Sequence, residues 1–182
     1  MNPTVVPSDL PVNADEKVVP VMIYTNTSVI WGDLIVKHIV RVSTWLRTNT
    51  APDDLCVFNS KVMVVSAGSP KAMSFPEIHV LVPHILAYHI LPPAIDPLDY
   101  DPTEPNRKME PMSAVVASFR MDARMRMATS ANLRRYLEFT RETFTPLYEV
   151  EITNMVQPTL GALKVPFVMV RQASTMFATR NV

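Results

Sequence analysis

Apolar and polar residues alternate along two stretches of this chain. Phe119, Met121, Ala123, Met125 and Met127 interleave with Arg120, Asp122, Arg124 and Arg126. Period two marks a strand with one buried and one wet face. The series Ile30, Gly32, Leu34, Val36 has the same spacing, 91 positions earlier than Met121, Ala123, Met125, Met127. Each series leads into a helical pattern. Val42, Trp45 and Leu46 fall at i, i+3, i+4 and predict a short helix over 41–47. Leu133, Tyr136 and Leu137 repeat that face behind a Thr129-Ser130 cap. One constant shift superposes both series, which is the signature of an internal repeat.

The remaining elements follow from the same rules. In the first repeat, strands are predicted over 19–25 and 29–37 with a turn at Asn26-Thr27-Ser28. Further strands are predicted over 55–58, 61–65, 78–82 and 85–90, with Pro83 as a break. In the second repeat they cover 146–153, 165–171 and 174–177. Gly68 and Gly161, two of only three glycines, fall in corresponding turns, where positive φ is often needed. Five or so short strands with one helical turn per repeat suit a small bent sheet or partly open barrel, with the general look of an Sm- or SH3-like barrel.

Proline divides the chain. Residues 1–18 carry Pro3, Pro7 and Pro11 with little periodicity and read as an extended arm. Residues 91–112 carry six prolines among Asp96, Asp99, Asp101, Glu104 and Glu110, and read as a stiff acidic linker. The organisation is thus an arm (1–18), a first β-rich repeat (19–90), a linker (91–112), a second repeat (113–178) and a short tail (179–182).

In the second repeat, Leu133-Arg134-Arg135-Tyr136-Leu137, Phe144-Thr145-Pro146-Leu147-Tyr148-Glu149-Val150 and Val165-Pro166-Phe167-Val168-Met169-Val170 resemble an uncharacterised bacterial small β-rich domain family of unknown function. The first repeat departs from that pattern. It lacks the Phe-x-Pro-Leu segment, and its late strands carry His79 and Pro83. The resemblance implies two divergent tandem copies of a compact module and brings no catalytic residues with it.

Composition bears on assembly more than on chemistry. A chain of 182 residues gives each repeat a core near the lower size limit for independent stability. Yet 48% of residues are hydrophobic and 12 are Met, a surplus that points to buried interfaces. Net charge is zero, but residues 1–100 hold 6 Lys/Arg against 9 Asp/Glu, and residues 101–182 hold 11 against 8. The halves are electrically complementary, which speaks to association rather than fold. The N-terminal sequence has no basic segment followed by an apolar one, and no run of 18 apolar residues occurs. The expectation is a cytoplasmic protein with no membrane span.

Catalytic patterns are absent. There is no GxSxG, no phosphate-cradling glycine loop and no CxxC. The single Cys56 lies in the apolar run 55–58 and reads as a buried structural thiol. His79, His84 and His89 recur every five residues, a spacing that cannot bring them to one metal along a strand. Asp53-Asp54 and Glu149/Glu151 read as a turn and a solvated strand face. No enzyme activity, metal or cofactor is expected. Two candidate surfaces stand out. Arg120, Arg124 and Arg126 share a strand face and Arg134 and Arg135 follow on the helix, a basic patch that could meet nucleic acid. It lacks interleaved aromatics for base stacking. Met121, Met125 and Met127 are either core or, on an edge strand, a subunit interface. The leading expectation is a structural or scaffold subunit, a homo-oligomer or part of a protein complex. The alternatives are a nucleic-acid-binding module and a sensor with a pocket between the lobes.

Overall fold

Ten strands form one antiparallel sheet in the computed structural model, which describes residues 10–48, 50–65, 71–97 and 99–180. The strands are β1 (Glu16–Tyr24), β2 (Ser28–Lys37), β3 (Asp54–Val64), β4 (Lys71–Leu81), β5 (Ala87–Ile90), β6 (Arg107–Val116), β7 (Phe119–Ala128), β8 (Phe144–Asn154), β9 (Ala162–Arg171) and β10 (Thr175–Thr179). Helix α1 (Val42–Trp45) joins β2 to β3, and α2 (Leu133–Phe139) joins β7 to β8. Single 3-10 turns, Val82–His84 and Gln172–Ser174, precede β5 and β10. The sheet order is β10-β6-β7-β8-β9-β5-β1-β2-β3-β4, and it is open, ending on β10 and β4.

One plan runs through both halves. In each, four strands meander and the fifth returns to pair with the first. The registers match as well. Ile23 opposes Ile30, and 91 positions on, Ala114 opposes Met121. Phe58 opposes Glu77, and 90 positions on, Tyr148 opposes Phe167. The change from 91 to 90 falls within the connection that carries each helix.

Both halves bend at the same place. Between Trp31 and Asp33 the β2–β3 register shifts, so Asn59 and Ser60 face Gly32 alone. Between Asp122 and Arg124 the β7–β8 register shifts, so Glu149 and Val150 face Ala123. Asn59 (φ 48°) and Glu149 (φ 51°) take up the left-handed conformation at these bulges. A bulge adds local twist and folds a strand over the core, which lets one meander cover its own apolar face. Gly32 has no alternative at this bend: a Cβ there would lie 2.5 Å from the Phe58 carbonyl oxygen.

Prolines respect the same geometry. The Pro20 carbonyl accepts from the Leu91 amide, so the Pro20 nitrogen faces the β5 side of β1, where β5 pairs only with Val21–Tyr24. The β1–β2 ladder is untouched, and only the last rung beside β5 lacks its return N–H. Pro111 occupies the corresponding place in β6, one residue beyond the reach of β10, which pairs with Met112–Val116.

Two apolar clusters hold the buried side chains of the sheet. The first is built from Val19, Val21, Ile23, Leu34, Val57, Ile85 and Tyr88 among others, and it takes Phe144 and Met169 from the second half. The second centres on Met112, Met121, Met125, Met127, Leu147 and Val168, and it takes Tyr24, Val29, Leu86 and Ala87 from the first half. Each half thus completes its neighbour's core, which explains how two modules near the lower size limit sustain one fold.

The mainly β expectation holds: the strands form one ten-stranded antiparallel sheet that does not close. Three predictions need correction. The strands expected over 55–58 and 61–65 are one strand, β3, kinked at Asn59. Strand β4 begins at Lys71, well before the predicted 78, because most of it is exposed and shows no apolar alternation. The segment read as linker ends at Asn106, since Arg107–Met112 already belong to β6. Gly68, expected in a turn matching that of Gly161 (φ 74°), lies outside the described residues, as do Pro3 and Pro7 of the expected arm.

Candidate interaction edges and the junction between halves

The two halves meet where β5 pairs with β9. Ala87 opposes Val170 and Tyr88 opposes Met169. The ladder is short, and side chains reinforce it. The Arg171 amide donates to the Leu86 carbonyl at 2.7 Å, and its guanidinium donates to the carbonyls of Ile85 and Val82. That guanidinium also lies 4.6 Å over the Phe144 ring, which meets Tyr88 edge-on.

Tyr24 forms the other side of the junction. Its ring meets Phe119 of the second half edge-on at 4.9 Å. Its hydroxyl lies 3.1 Å from Nε2 of the buried His89, whose Nδ1 lies 3.1 Å from the Ile90 carbonyl oxygen. A carbonyl only accepts, so Nδ1 carries the proton and Nε2 accepts from Tyr24. Burial holds the His89 pKa down at about 4. The ring is therefore neutral near pH 7, a polar joint within the apolar contact.

The acidic segment between the halves is an ordered strap. Asp96 accepts from the Ser43 amide at the start of α1 (2.8 Å). Asp99 accepts from the Tyr148 hydroxyl (2.7 Å) and pairs with Arg47 (3.3 Å). Tyr100 packs edge-on against Tyr148 and lies under the Arg126 guanidinium, 4.6 Å away. Glu104 pairs with Arg126 and Arg107. Its carboxylates thus fasten α1 to β8 and then to β7.

The structure distributes the five candidate arginines and gives four of them carboxylate partners. Arg120 pairs with Asp122 (3.0 Å), Arg124 with Glu149 (3.0 Å), Arg126 with Glu104, and Arg134 with Glu138 (2.9 Å). Arg126 is 15% exposed and committed to the strap. Arg135 sits on α2, where its amide donates to the Asn132 side chain capping the helix. This arrangement weighs against a continuous basic surface for phosphates. Met121, Met125 and Met127 are fully buried in the second cluster, on a strand flanked by β6 and β8. They take the core alternative and are not available to a partner.

The other candidates for chemistry stay apart. Cys56 is only half-buried, on the outward side of β3, because Leu55 and Val57 take the core positions. Burial, with Glu77 and Asp54 nearby, pushes its thiol pKa up, so the thiolate is disfavoured. His79 is exposed and pairs with Asp54 at 2.6 Å, which raises the His79 pKa. Glu149 pairs with Arg124 and Glu151 with Lys164. Among the described residues, no three of His, Cys, Asp and Glu converge where a metal ion could sit. No helix among them is long and apolar enough to cross a membrane.

A cleft of 310 Å³ opens between the halves, lined by Met22, Tyr24, Trp31, Phe119 and Leu163. Asn154 borders it. Its Oδ1 accepts from the Val156 and Gln157 amides, and its buried Nδ2 has no partner. Its wall is mostly apolar, with Tyr24 and Asn154 as the polar exceptions.

The ends of the sheet remain. Among the described residues, β4 pairs only with β3, and β10 only with β6. Both carry exposed apolar side chains: Met73 (44%), Phe75 (39%) and Leu81 (51%) on β4, and Met176 (69%) on β10. An unpaired edge with exposed apolar residues is a template for strand addition. Sequence reasoning did not identify these edges, since strand order is not written in local periodicity. Compared with protein families, curated proteins and solved structures, the chain matches none.

Proposed function

We propose that this chain is a non-enzymatic structural or scaffold subunit that self-associates or docks into a larger assembly. It is built from two tandem, divergent copies of a small, partly open barrel of Sm- or SH3-like plan. The reading is carried by the two unpaired edges, β4 and β10, at opposite ends of one sheet, each with exposed apolar side chains. Soluble monomers normally blunt such edges with charge, proline or a covering segment. Pro76 is one such device on β4, yet Met73 and Phe75 remain in the open nearby.

The matching bulges, prolines and registers of the two halves support the tandem-copy reading. Pairing of Arg120, Arg124, Arg126 and Arg134 with carboxylates favours the structural reading over a nucleic-acid module. The test is the native mass of the full chain at low salt. A discrete multiple of 20.5 kDa, or a stable complex with a partner protein, supports the reading. A monomer that retains no partner refutes it.

A further inference from the structure

We propose that β10 of one copy adds to the free edge of β4 of a second copy, in the register that joins β5 to β9 within the chain. This rests on the self-association reading and specifies the partner and the contact.

The argument uses the molecule's own junction as the template. Strand β9 corresponds to β4, shifted by 90, since Tyr148↔Phe167 matches Phe58↔Glu77. Strand β10 corresponds to β5, since β6 pairs Val115 with Met176 where β1 pairs Tyr24 with Ala87. Each chain therefore joins one β5-type edge to one β9-type edge internally and leaves one of each unpaired. Carrying Ala87↔Val170 and Tyr88↔Met169 across gives Met176 opposite Val80 and Phe177 opposite His79 of the next copy. The Leu81 amide would donate to the Thr175 carbonyl, as Arg171 does to Leu86.

Side-chain parity agrees with this register. At the internal junction, Tyr88 faces its own half's cluster, and Phe177 packs against the cluster of its own half in the same way. Val170 is a core residue of its half, and so is Val80. Ala87 faces Val170 and is fully buried, whereas its counterpart Met176 is 69% exposed in the single chain. The proposed contact supplies the wall that Met176 lacks. Because the two surfaces differ, the contact is head-to-tail and propagates until it closes into a ring or continues as a fibre.

Two kinds of variant test this on the full chain. Met176→Cys and Val80→Cys chains are made separately in a Cys56→Ala background, mixed and oxidised. Opposed strand residues lie within disulfide reach. The proposal expects a linked two-chain species in the mixture and none from either chain alone. Met176→Lys alters an exposed side chain, so it leaves the fold intact by circular dichroism, and it is expected to reduce the assembly to single chains. Assembly that persists in Met176→Lys, or an oligomeric mixture that does not cross-link, overturns this register while leaving self-association standing. A wild-type chain that is monomeric overturns both.

Discussion

Arg47 and Glu142 are 95 positions apart, and the Arg47 Nη2 donates to the Glu142 Oε2 at 2.7 Å. Arg47 follows α1 in the first half, and Glu142 precedes β8 in the second. The same guanidinium reaches Asp99 of the strap, so one side chain ties three segments together. Both partners are partly exposed, and the cost of breaking the clamp is discounted accordingly. Arg47→Met keeps the alkyl packing and removes the charge. It is expected to cost about 1–2 kcal/mol, read as a lower denaturation midpoint with an unchanged slope. Glu142→Gln should cost less, because Asp99 still holds the guanidinium.

His89 makes stability pH-dependent on the acid side. Its folded pKa is held at about 4, below the ordinary value of 6.5. Well above pH 6.5 the ring is neutral in both folded and unfolded chains, and its contribution is complete. As pH falls from 6.5 towards 4, the unfolded chain takes up a proton first and stability declines, by about 3 kcal/mol in all. Chemical denaturation at several pH values should show this slope. His89→Gln can still donate to Ile90 and accept from Tyr24, and it should flatten the slope. The exposed His79–Asp54 pair acts in the opposite direction, its contribution present below 6.5 and fading as pH rises through the raised His79 pKa.

Gly32 is held by space. A methyl group there meets the Phe58 carbonyl at 2.5 Å and Val57 Cγ1 at 2.8 Å. Gly32→Ala is expected to cost about 1–3 kcal/mol through strand displacement at the bulge. Ala123 occupies the equivalent bulge in β7, and Ala123→Gly should be far milder. Equal effects in thermal unfolding would contradict this account of the bend.

Ala117 offers the opposite case. It lies in the two-residue turn between β6 and β7 with φ 50°, a conformation that disfavours a Cβ. Ala117→Asn should raise stability by about 1 kcal/mol, because Asn tolerates the left-handed region. Thermal unfolding of the single variant checks it.

Much of this architecture was legible in the sequence where one face of an element is buried and the other wet. Strand β7, both helices and the 91-residue shift were visible for that reason. Lys71–Glu77 was not, because an edge strand exposed on both faces loses its alternation. Arg107–Met112 was missed because prolines and acidic residues around it look like linker, although the shift from Pro20 to Pro111 carried the signal. The arginine face was legible as a pattern, but its neutralisation was not. Glu104 and Glu149 reach Arg126 and Arg124 only through the strap and the β8 bulge. The Tyr24–His89 joint and the unpaired edges depend on which strands become neighbours, and no local pattern encodes that.

The measurement that bears most directly on the central claim is the native mass of the intact chain at low salt, across a range of protein concentrations. A subunit with two complementary open edges predicts a closed ring at a multiple of 20.5 kDa, a filament of larger mass, or a defined complex with a partner protein. A mass of one chain at every concentration, with no partner retained, would contradict it.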